Sequence, residues 1–191
     1  MAATLGPAGD GGNLPARGGR VIWRGMTIPR TRLALAFAAL GAGAALAAAF
    51  GAETFLGVVP CALCLLERWP WRIALLFGLA GVFLPQRVAR LALALAGLVV
   101  LGGAGIAVVH VGVEAKLWPS PLPECAAPHF AGGSIAERLA SMPERPAKPC
   151  DEPTFLVPGL PVSTAALNLL VSLVFSAAAA TFLVRSRRRA T

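Results

Sequence analysis

Charge is what this 191-residue chain has little of. Only 14% of its residues are Asp, Glu, Lys or Arg, while 57% are hydrophobic, and the mean hydropathy is +0.72. A soluble domain carries about 25% charged residues, so this shortage excludes an ordinary soluble fold. Cysteine is limited to four positions, Cys61, Cys64, Cys125 and Cys150. Only the first two are close in sequence, and without a second close pair a four-thiolate zinc site is disfavoured; no metal-ligand set is read from the sequence. No haem or flavin motif and no internal repeat occurs.

What is there instead is length of apolar run. Leu33–Ala52, Leu91–Val109 and Leu160–Val184 carry no charge at all. A hydrocarbon core of about 30 Å takes about 20 helical residues, so all three runs are expected to cross a membrane. A fourth run, Cys61–Leu84, holds Glu67, Arg68 and Arg72 and is the weakest candidate. The fold expected is an all-α membrane protein: a four-transmembrane-helix bundle with helices near 33–52, 62–84, 91–111 and 160–184. Its two cysteine-bearing loops lie on the non-cytoplasmic side, the larger over 112–159. Residues 31–185 form the transmembrane domain, between a basic, disordered cytoplasmic tail over 1–30 and a short basic tail over 186–191. Met26 stands before an ordinary lead-in and is a candidate start. A cleaved signal peptide over Leu33–Ala49 is the lesser reading, because the apolar run is long for one.

The net charge of +8 does not point to nucleic acid, because of where the charge sits. With both termini inside, the cytoplasmic parts hold Arg17, Arg20, Arg24, Arg30, Arg32, Arg87, Arg90, Arg185, Arg187, Arg188 and Arg189, with Asp10 the only acid. That is the positive-inside asymmetry, and the arginine-rich tail reads as an anchor at anionic lipid headgroups. All four cysteines then fall on the outer, oxidising side of a bacterial inner membrane. In the large loop, Ser134 and Glu137 form a capping box for a short helix. Ile135, Leu139 and Met142 share one face of it, which suits either the membrane surface or the loop's own packing.

The stretch "PCALCLLER" (Pro60–Arg68) concentrates the chemistry. Pro60 suits a helix start, which puts Cys64 in the first turn, where unpaired N–H groups favour a thiolate. Arg68 lies four residues on, on the same face. It is read as functional, needing a partner at that depth. Arg72, Glu67, Trp69 and Trp71 are read as interfacial, with Glu67 exposed and the tryptophans in the aromatic belt. A C-x-x-C bridge closes too short a loop to stabilise much, so the pair is read as a redox dithiol. Cys125 and Cys150 fit two roles. A structural bridge closing about 26 residues contributes roughly 3.5 kcal/mol; a second redox pair would exchange with the first. With no haem or flavin motif, a lipid-soluble two-electron acceptor, a quinone, suits a site between helices near Cys64 and Arg68.

These residues resemble the DsbB family, the quinone-linked oxidases of bacterial disulfide formation. The resemblance runs over about residues 27–185, through "PCALCLLER", "HVGVEAKLWPSP", the wide pair Cys125/Cys150 and "PCDEPTFLVPGL". In that family the DsbA–DsbB–quinone relay keeps the periplasm oxidised. The resemblance implies both termini in the cytoplasm, a DsbA-like periplasmic thioredoxin-fold partner, and ubiquinone or menaquinone as cofactor. It implies that Cys61 and Cys64 reduce quinone, that Cys64 is the thiolate beside the ring, and that Arg68 lies at the quinone. Cys125 is the cysteine the partner attacks and Cys150 its mate. His110 falls near a family histidine by the quinone, although its spacing to Cys125 differs; as a residue alone it reads equally as an interfacial polar group. His129 has no assigned role. The last apolar run has neither Trp nor Tyr, so it offers the quinone no such contact. Two other readings are a vitamin-K-epoxide-reductase-like protein, in which the C-x-x-C comes late in the chain, and a non-enzymatic membrane protein with structural disulfides.

The charge asymmetry gives a direct test of topology. Alkaline phosphatase fused after Pro119 should be active, and fused after Thr191 inactive. The reverse pattern would overturn the arrangement.

Overall fold

A computed structural model describes residues 30–125, 134–140, 148–156, 159 and 161–188. Among them the chain is helical, with one isolated bridge between Phe155 and Ser163. Helix α1 runs Arg30–Leu56, α2 Ala62–Leu66, α3 Arg68–Phe83, α4 Gln86–Glu114, α5 Ile135–Ala140 and α6 Thr164–Arg188. Three of these, α1, α4 and α6, are long and apolar enough to cross a membrane. Helix α3, with 16 residues, rises only about 24 Å, less than the hydrocarbon thickness. Residues 1–29, with Met26, lie outside the described residues, as do His129 and Met142.

Backbone polar groups find no water in a bilayer, so apolar runs of this length close their hydrogen bonds internally as helices. Side-chain size then decides which faces meet. Helix α1 turns Leu35, Ala38, Ala39, Ala42 and Leu46 inward, and α4 turns Ala89, Ala92, Ala96, Val100, Ala104 and Ala107. Many large apolar side chains point out, among them Phe37, Leu40, Leu76, Leu98 and Val174. Small-inside and large-outside is the pattern of helices packed in lipid. Helix α3 packs on both α1 and α4, and α6 packs chiefly on α4 with a smaller contact on α1. Ser176 Oγ reaches the Gly97 carbonyl of α4 at 3.1 Å. At the arginine-bearing end, Gln86 Nε2 donates to Thr31 Oγ1 (2.6 Å) and Arg90 to Ser186 Oγ (2.8 Å).

The run over 62–84 is divided at Glu67 into α2 and α3. Pro70 has no N–H for the Leu66 carbonyl four residues back, and its ring crowds that carbonyl. The break therefore falls where proline dictates. The short helix α5 is capped as its sequence predicts. The Ser134 N–H donates to Glu137 Oε2 (2.8 Å), and the Glu137 N–H donates to Ser134 Oγ (3.3 Å).

Helix α3 meets the backbone of α1 at Gly78. A Cβ there would stand 2.9 Å from the Ala39 backbone of α1. Gly78→Val should lower thermal stability in detergent by about 1–3 kcal/mol, the usual cost of overpacking. Gly102→Ala, where a Cβ would meet nothing within 4 Å, should be neutral or stabilising, since Ala favours helix over Gly by about 1 kcal/mol. Equal melting of the two variants would refute this packing.

Candidate active site at the cysteine end

Helix α1 ends at Gly57, whose φ of 64° is a left-handed conformation that glycine adopts without strain. The chain turns back there, and the Val58 N–H bonds to the Ala52 carbonyl at 3.1 Å. Three residues later Cys61 is the N-cap of α2, and its sulfur accepts from the Cys64 N–H at 3.2 Å. The two sulfurs lie 2.8 Å apart and are not bonded to one another.

Behind Cys61 stands a chain of buried polar groups. His110 Nε2 is 3.4 Å from Cys61 Sγ, and His110 Nδ1 is 2.8 Å from Glu67 Oε1. The other Glu67 oxygen accepts from Asn168 Nδ2 at 2.7 Å, and Asn168 Oδ1 accepts from Trp71 Nε1 at 2.9 Å. A carboxylate whose two oxygens accept in this way puts the imidazole proton on Nδ1 and leaves the Nε2 lone pair facing sulfur. Glu114 Oε1 stands 3.9 Å from the same Nε2 and its other oxygen accepts from Ser163.

Two expectations are corrected here. Glu67 is buried, at 6% exposure, not exposed at an interface. Trp71 is likewise buried, edge-on to Phe175 at 5.5 Å, and not part of an aromatic belt. Both follow from the polar partner Asn168. Trp69 is exposed, as expected of an interfacial residue, and Arg72 lies over its ring at 5.2 Å.

Arg68 finds the partner its depth demands in Glu53 of α1, with which it is ion-paired, and its guanidinium lies 5.0 Å from the Phe50 ring centre. Arg68 and Cys64 line one cavity of about 210 Å³ between α1, α3 and α6. Its wall is mostly apolar, from Leu46, Val59, Leu167 and Val171, with Asn168 and Glu53 as further polar groups.

Cys125 and Cys150 are joined by a disulfide. That bridge is buried and packs in one cluster with Cys61, Leu63 and Val113, with Cys64 at its edge. The fold thus brings Cys61, Cys64, His110 and Arg68 to one end of the bundle, with Cys125 and Cys150 beside them. Sequence reasoning missed Glu53, Glu67 and Asn168 as members of the site. Each carried a faint signal: Glu53 is the charge that ends the first apolar run, Glu67 is a charge inside another, and Asn168 is the lone carboxamide in the last.

No curated protein and no solved structure matches the chain. The family model described as disulfide bond formation protein DsbB matches residues 31–182. That span runs from the first turn of α1 to the last turns of α6 and takes in both cysteine pairs, so the chain belongs to the DsbB family of disulfide bond formation proteins.

Proposed function

We propose that this DsbB-family membrane protein re-oxidises a DsbA-like thioredoxin-fold dithiol and delivers the two electrons to membrane quinone. The observation that carries the reading is the division of labour between two adjacent sulfurs. Cys61 faces His110 and the Cys125–Cys150 bridge, while Cys64 faces the cavity with Arg68. In this reading α2 and α3 together make a fourth crossing, both termini are cytoplasmic, and the cysteine end lies in the periplasm of a bacterial inner membrane.

The cavity fits a quinone headgroup. It is mostly apolar, holds about 210 Å³, and offers polar contact from Arg68, Asn168, Glu53, Glu67, Thr154, Thr164 and Cys64. Quinone bound there supplies a two-electron, two-proton sink that lets the Cys61–Cys64 bond re-form. The Arg68 guanidinium is placed to hold a ring oxygen and to stabilise negative charge beside Cys64.

The chain's own steps are disulfide exchanges. A thiolate of the reduced partner attacks Sγ of Cys125, the Cys125–Cys150 bond breaks, and Cys150 leaves as a thiolate. The partner's second thiol then releases an oxidised partner, leaving Cys125 and Cys150 reduced. A thiolate of that pair attacks Cys61 in the Cys61–Cys64 disulfide, and Cys64 leaves as the thiolate facing the cavity. The second thiol of the wide pair closes the Cys125–Cys150 bond, freeing Cys61 beside His110. The closing thiol gives up its proton, His110 Nε2 accepts it, and Glu67 holds the resulting imidazolium beside the Cys61 thiolate.

Two sets of variants test this. A partner lacking its second thiol should accumulate a mixed disulfide with Cys125 on non-reducing gels, and Cys150→Ser, which has no Cys125–Cys150 bond to attack, should not oxidise the partner. Cys64→Ser should still accept one pair of electrons but show no quinone turnover. Arg68→Met, made together with Glu53→Gln so that no carboxylate is orphaned, should raise the quinone KM by about 10-fold or more, the loss of one charged contact. Unchanged KM and kcat would make Arg68 an interfacial anchor and remove the quinone from this cavity.

A further inference from the structure

We propose that Cys61, Cys64 and His110, when the cysteines are reduced, form a binding site for one thiophilic divalent cation, Zn²⁺ being the best fit. The Sγ atoms of both cysteines and a ring nitrogen of His110 lie within 4.8 Å of one another. Two thiolates and an imidazole are the donor set that borderline-soft, d¹⁰ Zn²⁺ prefers. Tetrahedral bonds of about 2.3 Å to sulfur and 2.0–2.1 Å to nitrogen place such donors about 3.5–3.8 Å apart. The observed separation of 3.4 Å between Cys61 Sγ and His110 Nε2 fits this, and the sulfurs at 2.8 Å need to part by only about 1 Å.

A second observation points the same way. Metal-bound histidines almost always give their other ring N–H to a carboxylate or carbonyl, which fixes the tautomer and the ring. His110 does this already: Nδ1 is held by Glu67, itself held by Asn168, so Nε2 is presented to the sulfurs. The fourth position is open toward Glu114, whose Oε1 is 3.9 Å from Nε2. His110, on α4, supplies what the sequence reading found wanting in a zinc site, a third ligand 49 residues from Cys61.

Binding releases two thiol protons and forms two metal–thiolate bonds, with no change of oxidation state. Formation of the Cys61–Cys64 disulfide consumes both donors and expels the cation. The site therefore exists only in the reduced protein, and it stands whether or not quinone is the electron acceptor.

Anaerobic titration with Co²⁺ reads this directly, because thiolate-to-cobalt charge transfer and intense visible bands report four-coordinate sulfur ligation. The reduced full-length protein in detergent, and its Cys125→Ser/Cys150→Ser variant that retains only the Cys61 and Cys64 thiols, should each bind one Co²⁺ per chain with those bands. Zn²⁺ should displace it. The oxidised wild type should show none of the signal. Glu67→Gln should weaken binding by about 10–100-fold, the usual effect of losing such a carboxylate, and His110→Ala should weaken it further or abolish it. Absence of the bands in both reduced proteins would overturn the proposal. So would equal binding by the oxidised form, or affinity indifferent to both Glu67→Gln and His110→Ala. The oxidised-against-reduced comparison needs no substitution, so a variant that fails to fold does not shelter the idea.

Discussion

The cysteine end depends on one buried contact, Glu67 against His110 at 2.8 Å. An isolated carboxylate in an apolar interior is expensive, and removing one partner of a buried pair costs about 3–5 kcal/mol. The molecule meets that demand from three helices at once. Glu67 comes from the junction of α2 and α3, His110 from α4 and Asn168 from α6. Each satisfies the next, so the network ties α4, α6 and the α2–α3 junction together at this end. The imidazole it orients then faces Cys61.

That network sits where a helix is interrupted. Adjacent residues on a helix point about 100° apart, so Glu67 and Arg68 leave the backbone toward different neighbours. Arg68 goes to Glu53 and the cavity, while Glu67 goes to His110. Adjacent residues of opposite charge thereby serve the two faces of one dithiol. Proline 70 sets the break without taking part in any chemistry.

The parts of this architecture that hydropathy governs were legible in sequence. Runs such as Leu33–Ala52 leave the backbone no choice but helix, and the capping box at Ser134 and Glu137 forms from local hydrogen bonds alone. The close spacing of Cys64 and Arg68 was equally plain, and the two line one cavity although the helix is divided between them. What sequence concealed was whatever depends on a second helix. Glu67 and Trp71 read as interfacial because charge and indole are common there; the groups that draw them inward, His110 and Asn168, lie 43 and 97 residues away. Glu53 read as the end of a run, and only the packing of α1 on α3 makes it the partner of Arg68.

The burial of the Cys125–Cys150 bridge, with Cys150 at 0% and Cys125 at 4% exposure, makes the first step of any exchange a conformational one. A thiolate must reach a disulfide sulfur in line, and here the sulfur is covered. Uncovering it has an energetic threshold that every attacker faces alike. A small thiol has almost no surface with which to offset it, whereas a folded protein that docks beside the loop contributes binding energy as it arrives. The shielded bridge thus acts as an insulator against stray reductants: under the function proposed above, small thiols are kept from it and only a partner large enough to open it delivers electrons.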